Sequence, residues 1–322
     1  MTVKKIAILT SGGDAPGMNA AIRGVLGKGL YHGFEMLGVQ NGFEGLINGE
    51  FIEMSSNDLI GVINQGGTIL KTARSEGFKT VEGLSMAVAQ IKKHGIDMVV
   101  VVGGDGSLQG AKKLASVGIG TALIPASIDN DIPGTEYCIG FDTALNTILE
   151  AVRKIQDTIA SHSKVAIVEV MGRNSGHLAL MSGMASGAEA ILVPEIPTDM
   201  ELICQSLVER SQQGKLYSII IVAEGVGKGP DIAEEIAIRT KLAVHVTVLG
   251  YIQRGGCPSA TDNIMGSKMG ALAIDTILSG HINFLVALRK GNLLTVPYEV
   301  EDGFESGIEV RDYDLSMILG MG

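Results

Sequence analysis

The chain has 322 residues, 46% hydrophobic and 19% charged, a composition that predicts a folded protein of two domains and excludes a chain disordered as a whole. A formal net charge of −10, no Trp and only 4% aromatics exclude general binding to nucleic acid or to an anionic membrane. A phosphorylated ligand would therefore need a local basic pocket. Three cysteines, Cys138, Cys204 and Cys257, lack metal-ligand spacing and suit a reducing compartment, so the expected location is the cytoplasm. No leader is expected, and no run reaches the ~20 apolar residues of a membrane span.

The first predicted strand, Ile6 to Leu9, empties into Thr10-Ser11-Gly12-Gly13-Asp14-Ala15-Pro16-Gly17, with a helix starting near Pro16. Exposed backbone N–H groups at such a turn suit a phosphate, although the segment also reads as a tight strand–helix turn without a ligand. It lacks the G-x-G-x-x-G spacing of dinucleotide binding. A second strand, Met98 to Val102, runs into Gly103-Gly104-Asp105-Gly106-Ser107. A carboxylate between glycines can hold Mg²⁺ while the backbone approaches nucleotide phosphates, or it can cap the following helix.

A third strand ending near Ile124 leads to Ser127-Ile128-Asp129-Asn130-Asp131-Ile132-Pro133-Gly134. Phosphoryl transfer to an alcohol needs a carboxylate that accepts the hydroxyl proton and further charge to hold a metal. The same residues could be turn chemistry alone. A helix is predicted over 143–161, capped by Thr143, with Leu145, Ile148, Leu149, Val152, Ile155 and Ile159 on one face. Two further strands, Val165 to Val170 and Ile219 to Ala223, follow. The first leads to Met171-Gly172-Arg173, and a later segment reads Leu249-Gly250-Tyr251-Ile252-Gln253-Arg254-Gly255-Gly256. Each Arg after an apolar run can grip a phosphate with two hydrogen bonds, or be a solvated surface charge. Strand and helix alternation of this kind predicts an α/β protein built on parallel sheets.

Taken in order, these segments resemble the bacterial ATP-dependent 6-phosphofructokinase family, from Lys5 to about Ile277. The resemblance implies an α/β fold of two domains, each a largely parallel sheet between helices. It implies ATP as donor, Mg²⁺ as cofactor, a sugar phosphate as acceptor, and a homotetramer whose neighbouring subunits complete the sugar-phosphate site. Residue by residue, it puts Gly13, Arg74, Ser75, Gly104, Asp105, Gly106 and Ser107 at ATP, with Asp105 on the metal. Asp129 would be the base, supported by Ser127 and Asp131, with Ile128 among the substrate-binding residues, and Arg173 would stabilise the transferring phosphoryl group. Met171, Gly172 and Glu224 would line the sugar, and Lys164, His245, Tyr251 and Arg254 would bind its 6-phosphate. The expected domains are 1–138 with 252–302 for ATP and 139–251 with 303–322 for the sugar phosphate.

Glycine at 106 favours ATP, because the pyrophosphate-using branch typically carries Asp there, and Ala126 stands where that branch carries Lys. Lys164, His245 and Tyr251 depart from the Arg, Arg and His usual in the 6-phosphate pocket. At the family's effector site Arg23, Glu189 and Lys215 match, but Gly27, Ser56, Gln156 and Gln213 replace basic residues and Gly61 replaces an Asp. These departures leave open a kinase for another sugar phosphate, a pyrophosphate-dependent phosphotransferase, or a non-catalytic nucleotide-binding relative.

Overall fold

A computed structural model describes residues 3–162, 164–215, 217–299 and 307–321; the expected domain crossing near residue 302 lies outside them. In chain order the elements begin β1 (Lys5–Ser11), α1 (Met18–Tyr31), β2 (Glu35–Val39), α2 (Gly42–Asn48), β3 (Phe51–Glu53), α3 (Val81–Lys93), β4 (Met98–Gly103), α4 (Asp105–Ser116) and β5 (Gly120–Pro125). They continue with α5 (Phe141–His162), β6 (Val165–Val170), α6 (His177–Ser186), β7 (Ala190–Leu192), α7 (Met200–Gln212), β8 (Ser218–Ala223), α8 (Gly229–Thr240) and β9 (Val244–Val248). The chain closes with α9 (Ala260–Leu278), β10 (Phe284–Arg289), β11 (Asn292–Pro297) and α10 (Val310–Met321).

Two compact units emerge, one of Met1–Thr143 with Arg254–Ser306 and one of Ala144–Gln253 with Gly307–Gly322. The first holds a seven-stranded sheet in the order β11-β10-β5-β4-β1-β2-β3. Its inner strands pair in parallel, while β3 and β11 add antiparallel edges. Every residue of β4 and all but Lys5 of β1 are buried, which is why Met98–Val102 and Ile6–Leu9 read as unbroken apolar runs in the sequence. On one side of this unit α1 and α9 approach so closely that a Cβ at Gly266 would sit 2.9 Å from the carbonyl oxygen of Gly17. Only glycine permits that approach.

The second unit holds a four-stranded, wholly parallel sheet in the order β7-β8-β6-β9. Its core joins Ile167, Ile220 and Val222 of the sheet to Leu207 of α7 and Ile236 of α8. The helix expected over 143–161 starts two residues earlier, at Phe141. Thr143 is not its cap; its amide and hydroxyl both donate to the carboxylate of Asp262, at 2.8 and 2.5 Å.

Candidate active site

In the first unit, sheet register gathers three of the sequence motifs. Ser11 stands opposite Gly103 across β1 and β4, and Gly103 stands opposite Pro125 across β4 and β5. All three strands are parallel, so the loops that follow them leave the same carboxyl edge, where open α/β sheets bind ligands. Side chains then tie the loops together. The Ser107 hydroxyl donates to the Ser11 carbonyl at 3.1 Å, and a Cβ at Gly104 would lie 3.6 Å from Ser127 Cβ.

Gly104 is the extended residue before α4, and Asp105 opens the helix, exposed, with Gln109 donating to it at 3.4 Å. The Ser107 and Leu108 amides donate to the Gly104 carbonyl, so the Asp105 and Gly106 N–H groups are those the first turn can offer to an anion. A Cβ at Gly106 would meet nothing within 4 Å, so the space above the helix start is open. Among the described residues no three His, Cys, Asp or Glu side chains converge on a metal site. The Asp105 carboxylate can supply one hard oxygen to a cation whose remaining ligands are phosphate oxygens and water, the coordination Mg²⁺ favours.

Asp129 is buried, at 6% exposure, in the loop after β5. Its amide donates to the Ser127 hydroxyl at 3.2 Å, and that hydroxyl donates to Asp131 at 3.3 Å. Asn130 performs the turn chemistry that the sequence left as an alternative for the whole segment. It adopts a left-handed backbone at φ 51°, accepts the Cys138 amide at 2.7 Å and donates to the Glu136 carbonyl at 3.2 Å. Ile128 is buried beneath the same loop.

The residues flanking the first glycine loop behave differently from one another. Thr72 donates to the Gly12 carbonyl at 2.8 Å and fixes the loop's path. Arg74 is exposed. The Ser75 hydroxyl donates to Glu44 at 2.6 Å and accepts the Phe78 amide at 3.0 Å, so its proton is already committed. Arg254 packs over the loop itself: its Nη2 lies 2.6 Å from Asp14 Oδ1 and would lie 2.7 Å from a Cβ at Gly13. Asp14 is the residue that motif reading passed over. Its signal was the single carboxylate directly after the paired glycines.

In the second unit a parallel arrangement recurs. Val170 stands opposite Ala223, and Glu169 opposite Val248, so Met171-Gly172-Arg173, Glu224 and Tyr251 follow the carboxyl ends of β6, β8 and β9. Gly172 has φ 139° and Arg173 φ 52°, a tight reversal held by the Arg173 amide donating to Glu224 at 2.8 Å. Gln253, fully buried, accepts the Met171 amide at 3.1 Å and donates to the Gly250 carbonyl at 2.9 Å, joining two of these loops. Arg173 and Tyr251 are exposed.

Lys164 and His245 lie elsewhere. Lys164 precedes β6 and His245 is the second residue of β9, so both stand at the amino end of the sheet. Their side chains meet, Nζ to Nε2, at 2.8 Å. Within one chain the structure does not bring this pair to Met171, Gly172 and Arg173.

Residues 5–277 match the family model described as phosphofructokinase. An ATP-dependent 6-phosphofructokinase of Thermotoga petrophila is 47% identical over 318 residues, covering 98% of this chain and all of that protein. Another, from Halalkalibacterium halodurans, is 50% identical over 292 residues, covering 91% of this chain and 92% of its own. Among solved structures, phosphofructokinase from Saccharomyces cerevisiae superposes with a TM-score of 0.84 at 34% identity over 97% of this chain. The chain spans 46% of that longer one.

Proposed function

The chain belongs to the phosphofructokinase family, and from that membership we propose that it transfers the γ-phosphoryl group of ATP to fructose 6-phosphate, giving fructose 1,6-bisphosphate and ADP. The observation that carries the reading is the alignment of strand ends in the first unit. It sets an open glycine loop, a helix N-terminus with one carboxylate, and the Asp129–Asp131 loop along one edge.

The first unit is read as the ATP-binding domain and the second as the sugar-phosphate-binding domain. Gly13, Arg74, Ser75 and the start of α4, Gly104 to Ser107, receive the phosphates of ATP through backbone N–H groups and positive charge. Mg²⁺, when held by Asp105 and phosphate oxygens, supplies neutralising charge. Asp129 accepts the proton of the sugar's 1-hydroxyl as its oxygen bonds to the γ-phosphorus and the bond to the ADP oxygen breaks. Ser127 and Asp131 hold that carboxylate's loop in place. Arg173 stabilises charge on the transferring group, and Met171, Gly172 and Glu224 line the sugar.

The 6-phosphate is assigned to Arg254 and Tyr251 with Lys164 and His245, the last two contributed by a neighbouring subunit of a homotetramer. The distance along the sheet between Lys164 and Arg173 supports that division. Among the described residues no helix is long and apolar enough to cross a membrane. The cytoplasm, where ATP and sugar phosphates are available, is the proposed location.

Purified protein incubated with γ-labelled ATP, Mg²⁺ and fructose 6-phosphate tests this reading. Label should appear at carbon 1 of the bisphosphate. Label released only as inorganic phosphate would contradict it.

A further inference from the structure

Asp262, on the first turn of α9, is a fully buried carboxylate that no step above uses. Each of its oxygens accepts two hydrogen bonds. Oδ1 takes the Tyr137 hydroxyl at 2.6 Å and the Gly140 amide at 2.6 Å, while Oδ2 takes the Thr143 amide at 2.8 Å and its hydroxyl at 2.5 Å. Burial raises the Asp262 pKa, and these donors oppose the rise. Burial, then the Asp262 carboxylate, raises that of Tyr137, which keeps the phenol a donor.

The ring closes through Ser259. Its amide donates to the Thr143 hydroxyl at 2.9 Å, its hydroxyl donates to Asp142 at 2.5 Å, and it accepts the Asp262 amide at 3.2 Å. A carboxylate from a distant helix thus caps the positive end of α5, taking N–H groups that would otherwise be buried without partners.

Three segments of the proposed active site meet at this knot. Residues 137–140, which Asp262 grips, also hold the Asp129 loop: Ser127 donates to the Ile139 carbonyl at 3.0 Å and Cys138 to Asn130 at 2.7 Å. The first glycine loop ends against it, since a Cβ at Gly17 would lie 3.1 Å from Asp262 Cβ and one at Gly140 would lie 2.6 Å from Ala15 Cβ. Ser259 is five residues beyond Arg254, the point where the chain re-enters this unit.

We propose that Asp262 is a positioning residue for phosphoryl transfer, setting the Asp129–Asp131 loop against the first glycine loop through Tyr137, Gly140 and Thr143. The inference rests on the function proposed above. The nucleotide loops have independent ties, Ser107 to Ser11 and Thr72 to Gly12, so losing the knot should slow turnover more than it weakens ATP binding.

The isostere Asp262→Asn separates this from simple packing. Because each oxygen faces a backbone N–H, either orientation of the amide turns an NH₂ against one of them. Misplacing a catalytic loop by about 1 Å costs up to 10²-fold in rate. Asp262→Asn and Thr143→Val should therefore lower kcat per folded molecule at least ~10-fold with little change in KM for ATP, while Thr143→Ser retains activity. Amide hydrogen exchange over residues 127–140 of the nucleotide-free protein should accelerate in Thr143→Val and not in Thr143→Ser. Unchanged kcat per folded molecule in Thr143→Val, with unchanged exchange, overturns the proposal even if melting falls. Absence of fructose 6-phosphate turnover in the unmodified protein would count against the function, and the exchange measurement would still decide the role of Asp262.

Discussion

The Nζ of Lys164 lies 2.8 Å from the Nε2 of His245, at the amino end of the sheet whose carboxyl end leads into Arg173. An ammonium has only donors, so this hydrogen bond requires the imidazole to offer its lone pair at Nε2. Strand β6 has six residues at roughly 3.3 Å each, so the pair is roughly 20 Å from its own chain's Met171 loop. A cationic pair so placed fits a role in a neighbour's sugar-phosphate site.

Subunit complementation follows. Asp129→Ser and the double variant Lys164→Ala/His245→Ala should each be nearly inactive with fructose 6-phosphate. Across a two-fold interface a mixed pair contains one intact site, so co-refolded subunits should recover about a quarter of wild-type turnover. Recovery no better than the parents would show that the pair serves its own chain or none.

Asp129 carries the next prediction. Replacing it by Ser removes the proposed proton acceptor while the backbone bonds of the loop, Ser127 to Ile139 and Cys138 to Asn130, remain. Steady-state kinetics should show kcat lower by at least ~10²-fold, with ATP binding by calorimetry within a few-fold of wild type. Near-normal turnover would remove Asp129 from the mechanism.

Much of this architecture could be read from the chain before folding, for a physical reason. The central strands β1, β4 and β8 are buried on both faces, so Ile6–Leu9, Met98–Val102 and Ile219–Ala223 appear as continuous apolar runs, and β6 is broken only by the half-buried Glu169. Strands β3 and β9 are partly exposed and carry no such run, β7 is only three residues long, and the β10–β11 hairpin adds its strand at an edge. The start of α5 is not legible locally because its capping carboxylate, Asp262, comes from 119 residues away. Strand order and sheet ends are tertiary facts. No local pattern says that His245 meets Lys164 or that Arg254 pairs with Asp14.

Donor choice can be tested at Gly106. A side chain there would enter open space at the N-terminus of α4. Gly106→Asp should fold normally and lower kcat/KM for ATP by at least ~10-fold, because a carboxylate would repel the nucleotide's phosphates at close range. An unchanged kcat/KM would mean that the phosphates pass elsewhere.

Regulation should be weak. Of the expected effector-site residues, Glu189 is already engaged: Arg210 donates to it at 2.9 Å, both side chains being 13% exposed, and it accepts the Ile219 amide. Gln156 donates to the Tyr217 hydroxyl at 3.1 Å. With neutral residues at Gly27, Ser56, Gln156 and Gln213, each missing charged hydrogen bond costs at least ~1.5 kcal/mol, and four exceed the ~1–3 kcal/mol of a typical allosteric coupling. Rate curves against fructose 6-phosphate should stay close to hyperbolic with millimolar phosphoenolpyruvate or ADP. Strong sigmoidicity abolished by Arg23→Ala would show a working effector site.

The central claim, an ATP-dependent kinase acting on fructose 6-phosphate, is tested most directly by kcat/KM for matched donor and acceptor pairs at saturating Mg²⁺. ATP with fructose 6-phosphate should exceed pyrophosphate with the same sugar, and ATP with any other hexose phosphate, by at least ~10²-fold, a gap of about 2.7 kcal/mol in transition-state binding. Comparable values for pyrophosphate, or a higher value for another sugar phosphate, would contradict it.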